Sequence, residues 1–167
     1  MIDFSNPWYL ITLLGAPEVW SAFAAMLFGA YLAFRTGSMG GAGVRRLLFL
    51  LIPTLVLTFL LATTLKGFFG VPRQCVPCMT ELVGCNPYCP IDSSLPSGHA
   101  ATAFAGFTAF WLSMEKRRKW LLVYCLPFLV AASRIMLGVH TWLDVFAGAV
   151  LGIAVALAVW EIDKRID

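Results

Sequence analysis

Long apolar segments alternate with short polar segments along the chain, and this pattern predicts an all-α membrane protein. Five apolar segments follow one another, at 17–34, 47–65, 97–114, 120–136 and 138–160. A helix needs about 20 apolar residues to cross the hydrocarbon core of a bilayer, a length that the second and fifth segments reach easily. The fourth is marginal because Ser133 and Arg134 interrupt it. We therefore predict a polytopic transmembrane helical bundle of about five spans, which forms one domain over residues 1–167.

A shorter element precedes the first apolar segment. Ser5 or Asn6 is the expected N-cap, and Pro7 suits the first helical position. Gly15 closes the element, so the helix has about eight residues and is too short to cross a bilayer. The Trp-Tyr pair that follows the proline is typical of the membrane–water interface. We therefore predict an N-terminal helix that lies at this interface.

Composition and charge agree with a membrane location and also orient the bundle. Hydrophobic residues make up 60% of the chain and charged residues 13%, which excludes an ordinary soluble domain. Basic residues concentrate on the cytoplasmic side of membrane proteins. Nine of the twelve basic residues lie in two loops and a tail that share one side: Arg35, Arg45, Arg46, Lys116, Arg117, Arg118, Lys119, Lys164 and Arg165. This predicts an N-terminus and a segment 66–96 that face outward, with the C-terminus in the cytoplasm.

The other three basic residues, Lys66, Arg73 and Arg134, fall on the outer side together with both histidines, His99 and His140. A cation near membrane depth costs a few kcal/mol of free energy unless it is paired or hydrated. Snorkelling toward lipid headgroups would account for one or two of these cations. The convergence of all three with two histidines instead favours a site that binds an anion.

His140 and Asp144 offer the chemistry of a nucleophile and its orienting acid. A spacing of four residues puts them one turn apart on one face of a helix. The carboxylate can then accept a hydrogen bond from one ring nitrogen and leave the other nitrogen with a free lone pair. A structural alternative is that Asp144 only neutralises Arg134.

Residues 96–99 read Pro-Ser-Gly-His and stand where the third apolar segment begins. Gly98 lets the backbone approach a ligand closely, and the helix N-terminus offers unpaired N–H groups to an anion. The hydroxyl of Ser97 can add a hydrogen bond, and His99 is placed to pass a proton. Together with cations that neutralise phosphoryl oxygens, these residues predict a site of phosphoryl transfer.

Three motifs on the outer side resemble the signature of a known family. The pattern is Lys-x6-Arg from Lys66 to Arg73, then Pro-Ser-Gly-His, then Ser-Arg-x5-His-x3-Asp from Ser133 to Asp144. It is similar to the signature of the type 2 phosphatidic acid phosphatase superfamily, which includes membrane lipid phosphatases, glucose-6-phosphatase and the vanadium haloperoxidases. The first motif departs from the family, in which proline usually follows the arginine, because Gln74 stands there in this chain.

The resemblance implies a mechanism that needs no metal and no cofactor. His140 would attack phosphorus and form a phosphohistidine while Asp144 holds its ring. His99 would protonate the leaving alkoxide and then help water to release phosphate. The resemblance also assigns five residues to the binding of phosphoryl oxygens: Lys66, Arg73, Ser97, Gly98 and Arg134.

Four cysteines crowd into the outer segment 66–96, namely Cys75, Cys78, Cys85 and Cys89. On an oxidising outer face we expect disulfides. The spacing Cys-x2-Cys-x6-Cys-x3-Cys would also suit zinc, and free thiols are a third alternative. Four cysteines allow three pairings, and the sequence does not choose among them.

We therefore expect a lipid phosphatase of the bacterial inner membrane that hydrolyses a phosphate monoester or a pyrophosphate at the periplasmic face. Similar family members act on phosphatidylglycerophosphate, lipid A 1-phosphate, undecaprenyl pyrophosphate or phosphatidic acid. One alternative is a phosphotransferase, in which a second lipid takes the phosphoryl group from His140. Another is a protein that binds or transports anionic lipids without catalysis. The expected partners are the lipid phosphate and the bilayer, with no nucleic acid, and the oligomeric state stays open.

Overall fold

The described part of the chain folds into helices, and the prediction of an all-α protein is confirmed. The computed structural model describes residues 6–34, 41–75, 85–114 and 117–166. Six α-helices lie within them: α1 (Pro7–Thr12), α2 (Pro17–Phe34), α3 (Gly41–Phe69), α4 (Gly98–Ser113), α5 (Cys125–Met136) and α6 (Trp142–Ile166). Short 3-10 helices follow α1, at Leu13–Gly15, and precede α5, at Arg117–Tyr124.

Two of these helices, α3 and α6, are long and apolar enough to cross a membrane. The pair of α1 and α2 is a third candidate if its two parts, which meet at an angle of 55°, are counted as one span. By length and composition the structure therefore supports two to three spans and not the five predicted. α4 has 16 residues and α5 has 12, so each is shorter than the roughly 20 residues that a span needs. The segment 120–136 is divided, because its first residues form a 3-10 helix and α5 begins only at Cys125.

The N-terminal element forms where it was expected and packs onto the bundle. The side chain of Asn6 caps α1 by accepting a hydrogen bond from the N–H of Trp8 at 3.0 Å, and Pro7 occupies the first turn. Gly15 ends the element in close contact with α4, because an added Cβ would come within 2.7 Å of the carbonyl oxygen of His99. The element therefore covers the end of the bundle at which α4 begins.

α4 is the central helix of the bundle, and its burial follows from its small side chains. It contacts α3, α5 and α6. Four of its alanines are completely buried: Ala100, Ala101, Ala103 and Ala105. Small residues let helix backbones approach closely in a bilayer, where van der Waals packing holds helices together. The alanine-rich sequence thus places α4 among the other helices and not against lipid.

Gly148 and Gly152 of α6, which have GxxxG spacing, pack against α4 within the chain. A Cβ at Gly148 would lie 2.5 Å from the carbonyl oxygen of Ser97. A Cβ at Gly152 would overlap the carbonyl oxygen of Ala101. The glycine pair therefore serves the close approach of α6 to the helix that begins with the Pro-Ser-Gly-His motif.

We predict that Gly152→Ala destabilises the protein by about 1–3 kcal/mol, the usual cost of overpacking a core. The new methyl group would meet backbone atoms of Ala101 and Ala105, which cannot move aside unless α4 and α6 separate. Thermal unfolding in detergent, followed by circular dichroism, measures the effect. Gly29→Ala in α2 is the matched control because nothing lies within 4 Å of a Cβ at that position. Equal unfolding temperatures for the two variants would contradict this packing.

Candidate active site

Four helix ends meet at one end of the bundle and carry most of the predicted site residues. Lys66 lies in the last turn of α3, and Arg134 lies in the last turn of α5. His99 stands in the first turn of α4, and Asp144 stands in the first turn of α6. Because α3 and α5 end where α4 and α6 begin, residues far apart in the sequence come together here.

Asp144 is buried, and hydrogen bonds from two segments fix its carboxylate. Oδ2 accepts hydrogen bonds from the hydroxyl of Ser94 and, at 2.8 Å, from the N–H of Thr141. The hydroxyl of Thr141 in turn accepts the N–H of Asp144 at 3.3 Å, which makes a reciprocal capping box at the start of α6. Among the described residues, the carboxylate contacts Ser94, Thr141 and His140. The structure therefore does not support the alternative that Asp144 neutralises Arg134.

His140 lies in the link between α5 and α6, so the expectation that it shares a helix face with Asp144 is wrong. α6 begins only at Trp142, two residues later. The two side chains nevertheless meet, with Nδ1 of His140 at 3.5 Å from Oδ2 of Asp144. This is too long for a hydrogen bond, and Nδ1 has no other partner among the described residues. Catalytic pairs often have such a separation before a substrate tightens them.

The guanidinium of Arg73 contacts the other ring nitrogen of His140. Its Nη1 lies 3.0 Å from Nε2 and also donates to the carbonyl oxygen of Val139 at 2.7 Å. Because a guanidinium can only donate, Nε2 carries the lone pair and Nδ1 carries the proton that faces Asp144. The lone pair is therefore on the expected nitrogen, but it is hydrogen bonded and not free. Burial lowers the pKa of His140 below its ordinary value, and the charges of Arg73 and Arg134 act in the same direction.

Asp92 belongs to none of the three motifs, yet its carboxylate binds both cations of the first one. Oδ2 pairs with Nζ of Lys66, and Oδ1 accepts a hydrogen bond from Nη2 of Arg73 at 2.6 Å. The Nε of Arg73 donates to the backbone carbonyl of Asp92 at 2.9 Å. Burial by itself raises the pKa of Asp92, but hydrogen bonds from Lys66 and Arg73 and their charges outweigh it and lower the pKa. The carboxylate is therefore ionised at neutral pH.

Arg134 is a buried cation, 4% exposed, and it has no carboxylate partner in the part of the chain that the structure describes. Its Nη1 donates to the hydroxyl of Thr12 in α1 at 2.9 Å, and its Nε has no partner there. Together with His99, it lines a cavity of about 460 Å³ between α1 and the loop around Tyr88. Glu18 also lines this cavity but forms no ion pair with Arg134. A buried charge is costly unless an opposite charge compensates it, and a bound anion would supply that charge.

The Pro-Ser-Gly-His segment begins α4 as expected. The side chain of Ser97 is the N-cap and accepts the N–H of Ala100 at 3.5 Å. Ser97 is completely buried, so its contact with phosphoryl oxygens stays a prediction. A Cβ at Gly98 would meet nothing within 4 Å, which leaves open space beside the first turn of the helix. Binding of an anion in this space by the N–H groups of α4 stays a prediction.

Segment 66–96 contains disulfides. Cys75 and Cys89 form one disulfide, and Cys85 is also disulfide-bonded. Cys78 lies outside the described residues. The expectation of disulfides is confirmed for Cys75 and Cys89. Their bond ties the segment after α3 to the loop before α4, and both segments carry residues of the site.

Sequence reasoning misses three residues that shape the site: Thr12, Asp92 and Ser94. Each acts through a contact with a residue far away in the chain, and no local pattern marks them. Thr141 is different, because Thr-x-x-Asp before an apolar run has the spacing of a capping box. That pattern would have predicted a helix that begins after His140.

The fold and the site together define a class of protein. It is a helical membrane protein that holds histidines, a carboxylate and cations at one end of its bundle. The model of the PAP2 superfamily matches residues 46–166, which include all three motifs. The chain belongs to the PAP2 superfamily, and the resemblance of its motifs to the type 2 phosphatidic acid phosphatases is confirmed.

Individual relatives share shorter stretches. A probable lipid phosphate phosphatase 4 of Arabidopsis thaliana is 42% identical over 76 residues, 38% of this chain and 25% of that protein. An undecaprenyl-diphosphatase of Sulfolobus acidocaldarius is 43% identical over 63 residues, 38% of this chain and 30% of that protein. The chain thus matches less than a third of either length. Its fold is similar to the crystal structure of a transmembrane PAP2 type phosphatidylglycerolphosphate phosphatase from Bacillus subtilis, with a TM-score of 0.70 and 24% identity, over 99% of this chain and 82% of that one.

Proposed function

We propose that this protein is a membrane lipid phosphatase that forms a phosphohistidine on His140. The observation that carries the proposal is the setting of this buried ring. Its Nε2 lies 3.0 Å from the guanidinium of Arg73, and its Nδ1 faces Asp144 at 3.5 Å. A neutral histidine with its lone pair at an anion site and its proton toward a carboxylate is an oriented nucleophile. Membership in the PAP2 superfamily supports this assignment.

The reaction would proceed in two displacements. Nε2 of His140 attacks phosphorus in line and the bond from phosphorus to the alkoxide oxygen breaks. His99, which is protonated when the negative charge of the substrate lies beside it, gives that oxygen its proton. The phosphorylated ring is a cation, which the carboxylate of Asp144 stabilises. Water then attacks the phosphohistidine, His99 takes a proton from the water, and phosphate leaves with His140 restored.

The cations would stabilise the charge that spreads over the phosphoryl oxygens in the transition state. Arg134 is the strongest candidate because it is buried, lacks a carboxylate partner among the described residues, and lines a cavity with His99. Arg73 would transfer its Nη1 hydrogen bond from Nε2 of His140 to a phosphoryl oxygen. Lys66 and the N-terminus of α4 at Gly98 would complete the binding site.

An apolar groove supports a lipid as the substrate. It has a volume of about 470 Å³, lies between α2 and α3, and is lined by Trp20, Phe28 and Phe59 among others. Thr102 of α4, one turn after His99, also lines it. A groove of this kind suits a hydrocarbon chain whose phosphate rests at the helix ends. Of the candidate substrates we favour phosphatidylglycerophosphate or lipid A 1-phosphate over undecaprenyl diphosphate and phosphatidic acid.

We further propose that the site faces the periplasm or the exterior of a bacterial inner membrane. The basic residues near the start of α3 and the end of α6, such as Arg45 and Lys164, lie at the helix ends remote from the site. Basic residues favour the cytoplasmic side. The disulfide between Cys75 and Cys89 also suits an oxidising compartment.

The proposal is tested by phosphate release from a panel of purified lipid phosphates with the protein in detergent. Turnover of at least one lipid monophosphate or diphosphate is expected, and the ranking of kcat/KM names the substrate. A phosphotransferase would need a second lipid, so product analysis with and without an acceptor lipid separates the two reactions. Binding of these lipids without release of phosphate would instead support the transport or scaffold alternative and contradict the proposal.

We predict that vanadate inhibits phosphate release and that EDTA does not. Vanadate adopts the five-coordinate geometry that phosphorus passes through and would bond to Nε2 of His140 while the cations hold its oxygens. EDTA removes divalent metals, which this mechanism does not use. Dose–response curves for both reagents with the same lipid phosphate provide the measurement. Loss of activity in EDTA that added zinc or magnesium restores would contradict a metal-independent mechanism.

A further inference from the structure

We infer that Asp92 is a positioning residue, which holds Arg73 and Lys66 in the orientation that receives the phosphoryl group. The inference rests on the proposed function, because it gives Asp92 a task in the same reaction. Asp92 precedes the Pro-Ser-Gly-His motif by four residues and belongs to no motif itself. Its place in the structure, not its sequence, points to this role.

The hydrogen bonds of Arg73 show what the carboxylate does. The side chain is 4% exposed, and all of its nitrogens have protein partners. Nε and Nη2 donate to the backbone and the carboxylate of Asp92 at 2.9 and 2.6 Å. Nη1 lies toward the carbonyl oxygen of Val139 and Nε2 of His140. Asp92 thus holds one edge of the guanidinium and presents the other edge to the nucleophile.

Binding of a phosphoryl group requires only one of these contacts to change. Nε2 of His140 must release Nη1 of Arg73 before it can bond to phosphorus. The contacts to Asp92 are made by Nε and Nη2 and can persist, and one hydrogen of Nη1 can stay on the carbonyl oxygen of Val139. The other hydrogen of Nη1 is then held in place for a phosphoryl oxygen. Because carboxylate and phosphoryl group approach different edges, Asp92 supports the binding of the anion and does not compete with it.

Lys66 depends on the same carboxylate. Its ammonium group pairs with Oδ2 of Asp92, and its side chain is 14% exposed. An ammonium has three donors, so one can stay on Asp92 while another binds the substrate. Without this partner, a side chain with four rotatable bonds would have no fixed direction toward the site.

Asp92 can hold two cations because its own loop is anchored. The hydroxyl of Ser93 donates to the carbonyl oxygen of Val71 at 3.2 Å, and the N–H of Ser94 donates to the same oxygen at 2.8 Å. The disulfide of Cys75 and Cys89 joins the same two segments covalently. The low pKa of Asp92 agrees with a carboxylate that stays charged in this position.

The test compares Asp92→Asn and Asp92→Glu with Glu161→Gln in the full chain in detergent. We expect Asp92→Asn to lower kcat/KM for the preferred lipid phosphate by about 10- to 100-fold, the scale on which misplaced groups slow enzymes. The inhibition constant of vanadate should rise by a similar factor. Asp92→Glu should restore part of both, because it keeps the charge. Glu161→Gln neutralises an exposed, ion-paired carboxylate near the other end of α6 and should leave both values close to wild type.

Three outcomes would overturn the inference. The first is an Asp92→Asn variant with wild-type kcat/KM. The second is tighter inhibition of that variant by vanadate, which would mean that the carboxylate competes with the phosphoryl group. The third is a lower unfolding temperature with an unchanged vanadate constant, which would mean that Asp92 only stabilises the loop. A wild-type protein that hydrolyses no lipid phosphate would overturn the proposed function as well, whereas the three outcomes above leave the proposed function intact.

Discussion

His140→Ala should abolish phosphate release from every lipid phosphate that the wild-type protein hydrolyses, with a loss in kcat of at least about 1000-fold. Alanine has no lone pair to attack phosphorus, and the neighbouring groups at this point cannot replace it. The guanidinium of Arg73 has no lone pair that could attack. The carboxylate of Asp144 already accepts hydrogen bonds from Ser94 and Thr141. Phosphate release is measured over a long incubation. A dilution series of the wild-type protein gives the lowest rate that the assay detects.

A second measurement separates loss of the nucleophile from loss of the fold. The wild-type protein, mixed with labelled lipid phosphate and quenched in alkali, should carry a phosphoryl group on His140 that mass spectrometry locates. His140→Ala should carry none while keeping the circular dichroism spectrum of the wild type. His99→Asn keeps the nucleophile but lacks the proton donor, so it should form the same phosphohistidine more slowly. Residual turnover by His140→Ala above a few per cent of wild type would contradict a phosphohistidine mechanism.

The fold is predictable from the sequence to the extent that local patterns determine it. The caps and apolar segments predict α1 and α2 closely, because Asn6, Pro7 and Gly15 act on their own neighbours. The number of spans is not predictable in this way. Hydropathy locates an apolar segment but not the length of the helix that it forms, and α4 and α5 are shorter than their apolar segments.

The site is predictable where the family motifs cover it and no further. Lys66, Arg73, His140 and Asp144 come together as their motifs imply. The contacts of Asp92 with Lys66 and Arg73 depend on how the loop before α4 folds back on the end of α3. Such a contact joins residues that are 19 or more positions apart, and a single sequence carries no signal for it. For the same reason the partner of Arg134 in α1 could not be anticipated.

Arg134→Met should lower kcat/KM by about 100- to 1000-fold, the effect of removing a donor from a charge-stabilising site. It should also make the protein more stable. The buried guanidinium has a hydroxyl, that of Thr12, as its side-chain partner in the described part of the chain, and its Nε has none. Burying a charge without an ionic partner costs free energy, so an apolar side chain at this position should raise the stability. Replacing buried ion pairs by apolar groups of similar volume often stabilises proteins by about 1–4 kcal/mol, and we expect a change on that scale. Methionine is shorter than arginine, but it is unbranched and adapts its shape to the space.

Thermal unfolding with and without vanadate distinguishes a residue that binds the phosphoryl group from one that only stabilises the fold. In a protein of this size, each kcal/mol raises the unfolding temperature by about 2–4 °C. Vanadate should stabilise the wild type through binding and have little effect on Arg134→Met, because the variant binds the anion weakly. Lys164→Met is the matched control: it removes an exposed cation, paired with Glu161 near the other end of α6, and should change neither stability nor turnover appreciably. If Arg134→Met loses stability along with activity, Arg134 serves the packing of α1 on α5, and its predicted role in binding the phosphoryl group is wrong.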